Sequence, residues 1–160
     1  MYMKNLFFYF IILISTNAFS QTTDAWDREY LGEENSYVAK GDALLQNKRF
    51  FEAIQMFNKS IEINNKNFWT YFLRGSSKTM LDDNRGALID LITAEDLLNL
   101  DKSSKGKSIA NFNLHLGNIY FTRGIVNIKL KNKNEGCLWL SRAGELGDEK
   151  SYLAIQKFCK

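Results

Sequence analysis

Proline is missing from all 160 residues, histidine occurs once and cysteine twice. Proline removes an amide donor and clashes with the preceding helical turn, so without it the chain lacks its strongest helix breaker. The default reading is all-α. The single histidine, His115, has no cysteine or carboxylate at ligand or nucleophile spacing, and it reads as a surface or internally satisfied helix residue. Cys137 and Cys159 are 22 positions apart, with no C-x-x-C spacing. That excludes the usual zinc and dithiol motifs. The sequence therefore offers no metal set, no cofactor motif and no catalytic residue.

Long hydrophobic runs are also missing. The longest, Leu6 to Ile14, has nine residues, about 14 Å as a helix against a hydrocarbon core of about 30 Å. It follows Lys4 and precedes Ala18-Phe19-Ser20. This is the order of a secretory signal: a positive start, a short apolar centre, and small residues two apart before a cleavage bond. We expect residues 1–20 to be removed at Ser20-Gln21, leaving a periplasmic or extracellular chain with no stable membrane insertion. An uncleaved anchor is the alternative, and the length argues against it.

Charge of one sign is scarce as well, with 21 Lys+Arg against 18 Asp+Glu. The one basic cluster, Lys102, Lys105 and Lys107 in "DKSSKGK", is interrupted by serines and a glycine. It reads as a solvated loop, too narrow to neutralise several phosphates, so a nucleic-acid partner is not expected. The acidic pairs Asp82-Asp83 and Glu95-Asp96 read as solvated charge, because adjacent helix positions point about 100° apart and do not converge on one substrate atom. "DDNRG" lacks the oxygen ligands of a calcium loop. Asn58-Lys59-Ser60 matches a glycosylation acceptor by composition but falls mid-helix.

What is present is 45% hydrophobic residues, enough for one domain with a real core. The chain also repeats itself. Gly41, Gly75 and Gly124 each have a tyrosine four residues before (Tyr37, Tyr71, Tyr120) and a small residue twelve after (Ala53, Ala87, Gly136). Four residues later come Phe57, Leu91 and Leu140, and three later again Ser60, Ala94 and Ala143. The first two copies are 34 residues apart and the third follows after 49, which is one unit used three times with an insertion before the last. Tyr37, Val38, Gly41, Leu44 and Leu45 keep helical spacing, as do Ala53, Ile54, Phe57 and Ile61. The turns "QNKR", "DDNR" and "KNKN" are short and polar, which makes the flanking helices antiparallel neighbours. Glycine inside a helix costs about 1 kcal/mol relative to alanine, so each repeat glycine should mark a close approach of two helices. Gly136 should play the part that alanine plays in the other copies.

These residues resemble the tetratricopeptide repeat family, and the chain reads as a small exported bacterial member of it. The usual closing proline is replaced by Asn65, Asn99 and Asp148. The resemblance implies an α–α superhelix, a solenoid of three helix hairpins at about 34–67, 68–101 and 117–150. An insertion at about 102–116 and a capping helix at about 149–159 complete a domain spanning 34–160. Leu97, Leu98 and Leu100 should prolong the helix before the insertion, and Ile109, Phe112, Leu116 and Tyr120 the helix after it. Gly147 is a helix stop and Asp148 a cap. Residues 21–33 should be a flexible arm, with Trp26, Tyr30 and Leu31 available to dock on the first helix.

By the same resemblance the first helix of each pair lines a concave groove. The groove positions are Asn35, Val38, Asp42 and Gln46; Trp69, Phe72, Ser76 and Met80; Asn118, Phe121, Ile125 and Lys129. The lysine and asparagine set that grips a terminal carboxylate in some members is replaced here, with Val38 and Asp42 in its place. The function implied is an exported, non-enzymatic module that binds a peptide or protein segment in an apolar groove. The alternative is a structural or self-associating component of a cell-envelope assembly that uses the convex side or an end of the stack, with the groove filled by the arm; the competing reading of the groove aromatics themselves is core packing or cover by the arm. The cysteines keep two readings: a disulfide worth about 3 kcal/mol by loop closure in an exported chain, or two small buried hydrophobes that never meet.

Overall fold

The computed structural model describes residues 32–102 and 109–160. The expected signal at 1–20, the arm up to residue 31 and the centre of the insertion at 103–108 lie outside them. Every regular element among the described residues is a helix. These are α1 (32–46), α2 (Phe50–Ile63), α3 (Phe68–Met80), α4 (Asn84–Lys102), α5 (Ile109–Lys129), α6 (Lys133–Glu145) and α7 (Glu149–Phe158). Residues 32 and 33, expected in the arm, already belong to α1.

Three hairpins, α1/α2, α3/α4 and α5/α6, stack in chain order, and α7 covers the last. The turn inside each hairpin is built the same way. Lys48, Asp82 and Lys131, each seven residues past a repeat glycine, have positive φ of 60°, 60° and 70°. The amide three places past the end of each helix then returns to a carbonyl five residues back: Arg49 N to Leu44 O at 2.9 Å, Asp83 N to Lys78 O at 3.0 Å, and Asn132 N to Asn127 O at 2.9 Å. This left-handed closure satisfies carbonyls that a helix end leaves open. Before α7 the same closure uses Gly147 (φ 92°), and Asp148 accepts from the Ser151 amide at 3.1 Å as the cap.

The repeat glycines stand where the helices of a pair meet. A methyl group on Gly41 would lie 2.8 Å from Phe57 Cδ1 and Cζ, and one on Gly75 would lie 3.2 Å from Ala87 O and Leu91 Cγ. On Gly124 it would reach Leu140 Cγ at 2.7 Å and Gly136 O at 3.0 Å. Gly136 differs from the expectation that it stands in for alanine, because its own methyl would be 2.9 Å from Gly124 O and 2.6 Å from Ile128 Cγ1. Two glycines face each other here, so the third hairpin is drawn tighter than the first two and alanine no longer fits.

Among the described residues the core includes three clusters, with Leu140 and Ala143 buried in the last hairpin besides. Ala53, Phe57 and Leu73 make the first, Ala87, Leu91 and Val126 the second, and Ala94, Leu98, Leu116 and Ile119 the third. Phe72 packs against all three. The lengthened α4 and α5, 19 and 21 residues against 14 for α2 and 13 for α3, meet beyond the repeat through Leu98 and Leu116. Cys137 in α6 and Cys159 at the end of α7 stand at disulfide distance, with sulfurs 2.04 Å and Cα atoms 5.7 Å apart.

Candidate binding groove

Packing the second helices against the first ones leaves one face of α1, α3 and α5 uncovered. A cleft of about 470 Å³ opens there, walled by Leu45 and Gln46 of α1, Lys48 of the turn, Phe50 of α2, Ser76, Thr79 and Met80 of α3, and Phe121, Thr122 and Ile125 of α5. The polar groups of these walls are largely committed elsewhere. The Thr79 hydroxyl donates to Gly75 O at 2.9 Å and the Thr122 hydroxyl to Asn118 O at 2.9 Å, which leaves their methyl groups to the cleft. Gln46 Nε2 donates to Asp42 at 3.0 Å. Lys129 Nζ spans α5 to α3, donating to Thr79 O at 2.9 Å and pairing with Asp82 at 2.8 Å. The cavity can therefore bury apolar side chains and offers few free donors or acceptors.

Of the groove positions read from the sequence, the structure gathers Gln46, Ser76, Met80, Phe121 and Ile125 around this cleft. Val38, Trp69 and Phe72 go into the packing of the first core cluster instead. Trp69 stacks on Phe72 at 5.0 Å, and His115 lies against Trp69 at 5.3 Å and Phe68 at 5.2 Å. The backward extension of α5 carries His115 there, so the end of the groove nearest the start of α3 is filled by the protein's own side chains. Asp42 and Lys129 are held in side-chain pairs, and Asn35 and Asn118 are not among the wall residues. Leu45, Lys48, Phe50, Thr79 and Thr122 line the cleft without having been singled out. Leu45 belonged to the same helical stripe as Val38, and Phe50 opens α2 directly after the turn, which was the available signal.

Of the charged pairs read as solvated, Asp82, Asp83 and Asp96 are exposed, while Glu95 is drawn into packing, as is Asp90. Buried Asp90 accepts from Arg74 at 2.9 and 2.6 Å and pairs with Lys78 at 2.8 Å, while Arg74 also reaches Asn58 of α2 at 2.8 Å. Asn58 is thus tied down and Ser60 is fully buried, an unsuitable glycosylation acceptor. Glu95 is not solvated as expected: it pairs with Arg123 and accepts from the Tyr120 hydroxyl at 3.0 Å. Arg123 in turn covers the Trp139 ring at 3.7 Å. Burial, and then the Glu95 carboxylate beside it, push the Tyr120 phenol above its ordinary pKa. Asp83 caps α4 by accepting from the Gly86 amide at 3.0 Å. Among the described residues no cluster of His, Cys, Asp and Glu could hold a metal, and no helix is long and apolar enough to cross a membrane.

No family model and no curated protein matches the sequence. Solved structures do match the fold. The Arabidopsis OM64 TPR domain is 19% identical over 78% of this chain and 93% of that one, with a TM-score of 0.65. The first TPR of Spaghetti (RPAP3), bound to the HSP90 peptide SRMEEVD, is 19% identical over 79% of this chain and 90% of that one, TM-score 0.64. The TPR2AB domain of yeast Sti1, in complex with pHSP90, is 14% identical over 92% of this chain and 52% of that one, TM-score 0.59. The chain has the tetratricopeptide repeat fold. In this tetratricopeptide solenoid the first helices α1, α3 and α5 share the open face, and the cleft sits toward the turn ends of α1 and α3. Its apolar walls set it apart from a charged clamp: Val38 packs on the core and Asp42 brings a negative charge.

Proposed function

We propose that this chain is an exported, non-enzymatic interaction module that takes an apolar-sided peptide or protein segment into the cleft. The observation that carries the reading is the wall itself: Leu45, Phe50, Met80, Phe121 and Ile125 surround a cavity whose two threonine hydroxyls are already bonded to backbone, leaving Ser76 as its one further hydroxyl. Burying apolar side chains in such a pocket is the ordinary source of affinity in groove recognition. Export is supported by the signal-like order of Lys4, Leu6–Ile14 and Ala18-Phe19-Ser20, and by cysteines at disulfide distance, which suit an oxidising compartment.

The test is a peptide panel in which 8- to 12-residue segments with two or more large apolar side chains are compared with SRMEEVD by fluorescence anisotropy. Apolar segments should bind, and Phe121→Ala and Ile125→Ala should each weaken them about tenfold or more with helical circular dichroism unchanged. SRMEEVD should not bind, because Asp42 repels its acidic end. Binding of SRMEEVD that is lost on amidating its C-terminus, or apolar binding indifferent to both variants, would overturn the proposal.

A second reading, self-association, is favoured by one observation. Ile89 and Leu138 occupy the same register, two residues past the small residue of their repeat, and are 66% and 49% exposed outside the cleft. Mass that rises with concentration in light scattering and falls in Ile89→Lys would support it.

A further inference from the structure

Helix α7 is weakly held except at its end. Its buried residues are Ser151 and Ala154, both small, while Leu153 and Tyr152 are 70% and 57% exposed. The Tyr152 hydroxyl donates to Gly144 O at 3.3 Å, and Asp148 caps the first turn. Ten residues is also shorter than a helix that stands alone in water. The far end is fixed by the Cys137–Cys159 link, which closes a loop containing the whole of α7, with one exposed hydrogen bond beside it from Lys133 Nζ to Lys160 O at 2.5 Å. The helix also borders the groove: Lys150 Nζ lies 5.6 Å over the ring of Phe121, a wall residue of the cleft.

We propose that the Cys137–Cys159 bond is a redox-sensitive fastener, and that reducing it with a dithiol releases α7 and uncovers the Lys150 side of Phe121. Both cysteines are only half-buried, so an attacking thiolate can reach them. The step balances as exchange. One thiolate of the dithiol attacks one sulfur, the S–S bond breaks, and a mixed disulfide forms. The second thiolate of the dithiol displaces the remaining cysteine. The reductant leaves as a disulfide, having supplied two electrons, and Cys137 and Cys159 each end as a thiol. Losing the loop constraint lowers the docked population of α7 about a hundredfold relative to the released one. The consequence for ligand binding rests on the function proposed above. The release of α7 does not.

Amide hydrogen exchange on the full chain, oxidised and then reduced with dithiothreitol under thiol titration, reads the release directly. In the reduced chain the amides of 149–158 should exchange about a hundredfold faster while those of α2 to α5 keep their rates. A Cys137→Ser/Cys159→Ser variant should match the reduced pattern without reductant. Unchanged protection of α7 in a chain with two titrated thiols, or equal loss of protection throughout α2 to α5, overturns the fastener. Uptake of an apolar dye should rise severalfold on reduction and lose that rise in Phe121→Ala. A rise that survives Phe121→Ala overturns the link to the cleft. Peptide affinity is a separate measurement, so failure of the binding proposal would leave the exchange result standing.

Discussion

Gly41, Gly75 and Gly136 are three glycines at close helix approaches, and the atoms they meet differ in how easily they yield. A methyl on Gly75 would meet its neighbours at 3.2 Å, a distance that a few tenths of an ångström relieves. Helix propensity favours alanine there by about 1 kcal/mol, so Gly75→Ala should leave stability within about 1 kcal/mol of the parent. On Gly41 the methyl would strike the Phe57 ring, which is itself fully buried. On Gly136 it would meet backbone, Gly124 O at 2.9 Å and Ile128 N at 3.1 Å. Gly136→Ala should therefore cost the most, about 2–3 kcal/mol, and Gly41→Ala less because a ring can tilt where backbone cannot. Urea unfolding of the three variants checks the order, and equal costs would remove the distinction. The sequence marks where helices come close, since a glycine recurring in register inside helices has little other use. It does not reveal that the third pair is closer than the others, because that depends on two glycines meeting across a gap.

Individual helices show a similar division between what periodicity encodes and what crossing geometry decides. The stripe Ile109, Phe112, Leu116, Tyr120 was readable as a backward extension of α5, because 3.6-residue spacing is a property of one helix. That the extension would seat His115 on Trp69, and so fill one end of the groove, depends on where α5 crosses α3. The arginine before each later glycine, Arg74 and Arg123, recurs in sequence but finds different partners, Asp90 within its own hairpin and Glu95 in the preceding one. A consequence at this scale concerns pH. The Tyr120 phenol on α5 is held above its ordinary value by burial and by Glu95 of α4. The unfolded chain releases this proton near pH 10, while the folded chain keeps it to a higher pH. Its contribution is complete below about pH 10 and is lost as pH rises through the folded value. Tyr120→Phe should therefore show a shallower alkaline decline in urea midpoint between about pH 9 and 11. An identical slope in both chains would mean that α4 and α5 do not hold this phenol as described.

Across the whole molecule, stacked hairpins touch only their neighbours, so stability is distributed along the stack and cooperation depends on what crosses each junction. Phe72 has an unusual place in this respect, since it packs against the clusters of Ala53 and Phe57, of Ala87 and Leu91, and of Leu98 and Leu116 together. Sequence reading put it on the groove face, a placement that a phenylalanine in the middle of a first helix invites. The neighbouring hairpins reach it from both sides and make it a junction residue. Phe72 is partly buried, so Phe72→Ala should cost about 2–3 kcal/mol, below the range for a fully buried phenylalanine. It should also separate the first hairpin from the rest. In the parent, urea transitions followed by tryptophan fluorescence and by far-ultraviolet circular dichroism should coincide. In the variant, fluorescence read with Trp26 and Trp139 replaced by phenylalanine, so that Trp69 reports alone, should change at lower urea than helix content, with a shallower slope. Coincident transitions at a simply lowered midpoint would show that cooperation across the stack runs through the Arg74, Asp90 and Asn58 network instead, and Asp90→Ala would then be the change that splits them.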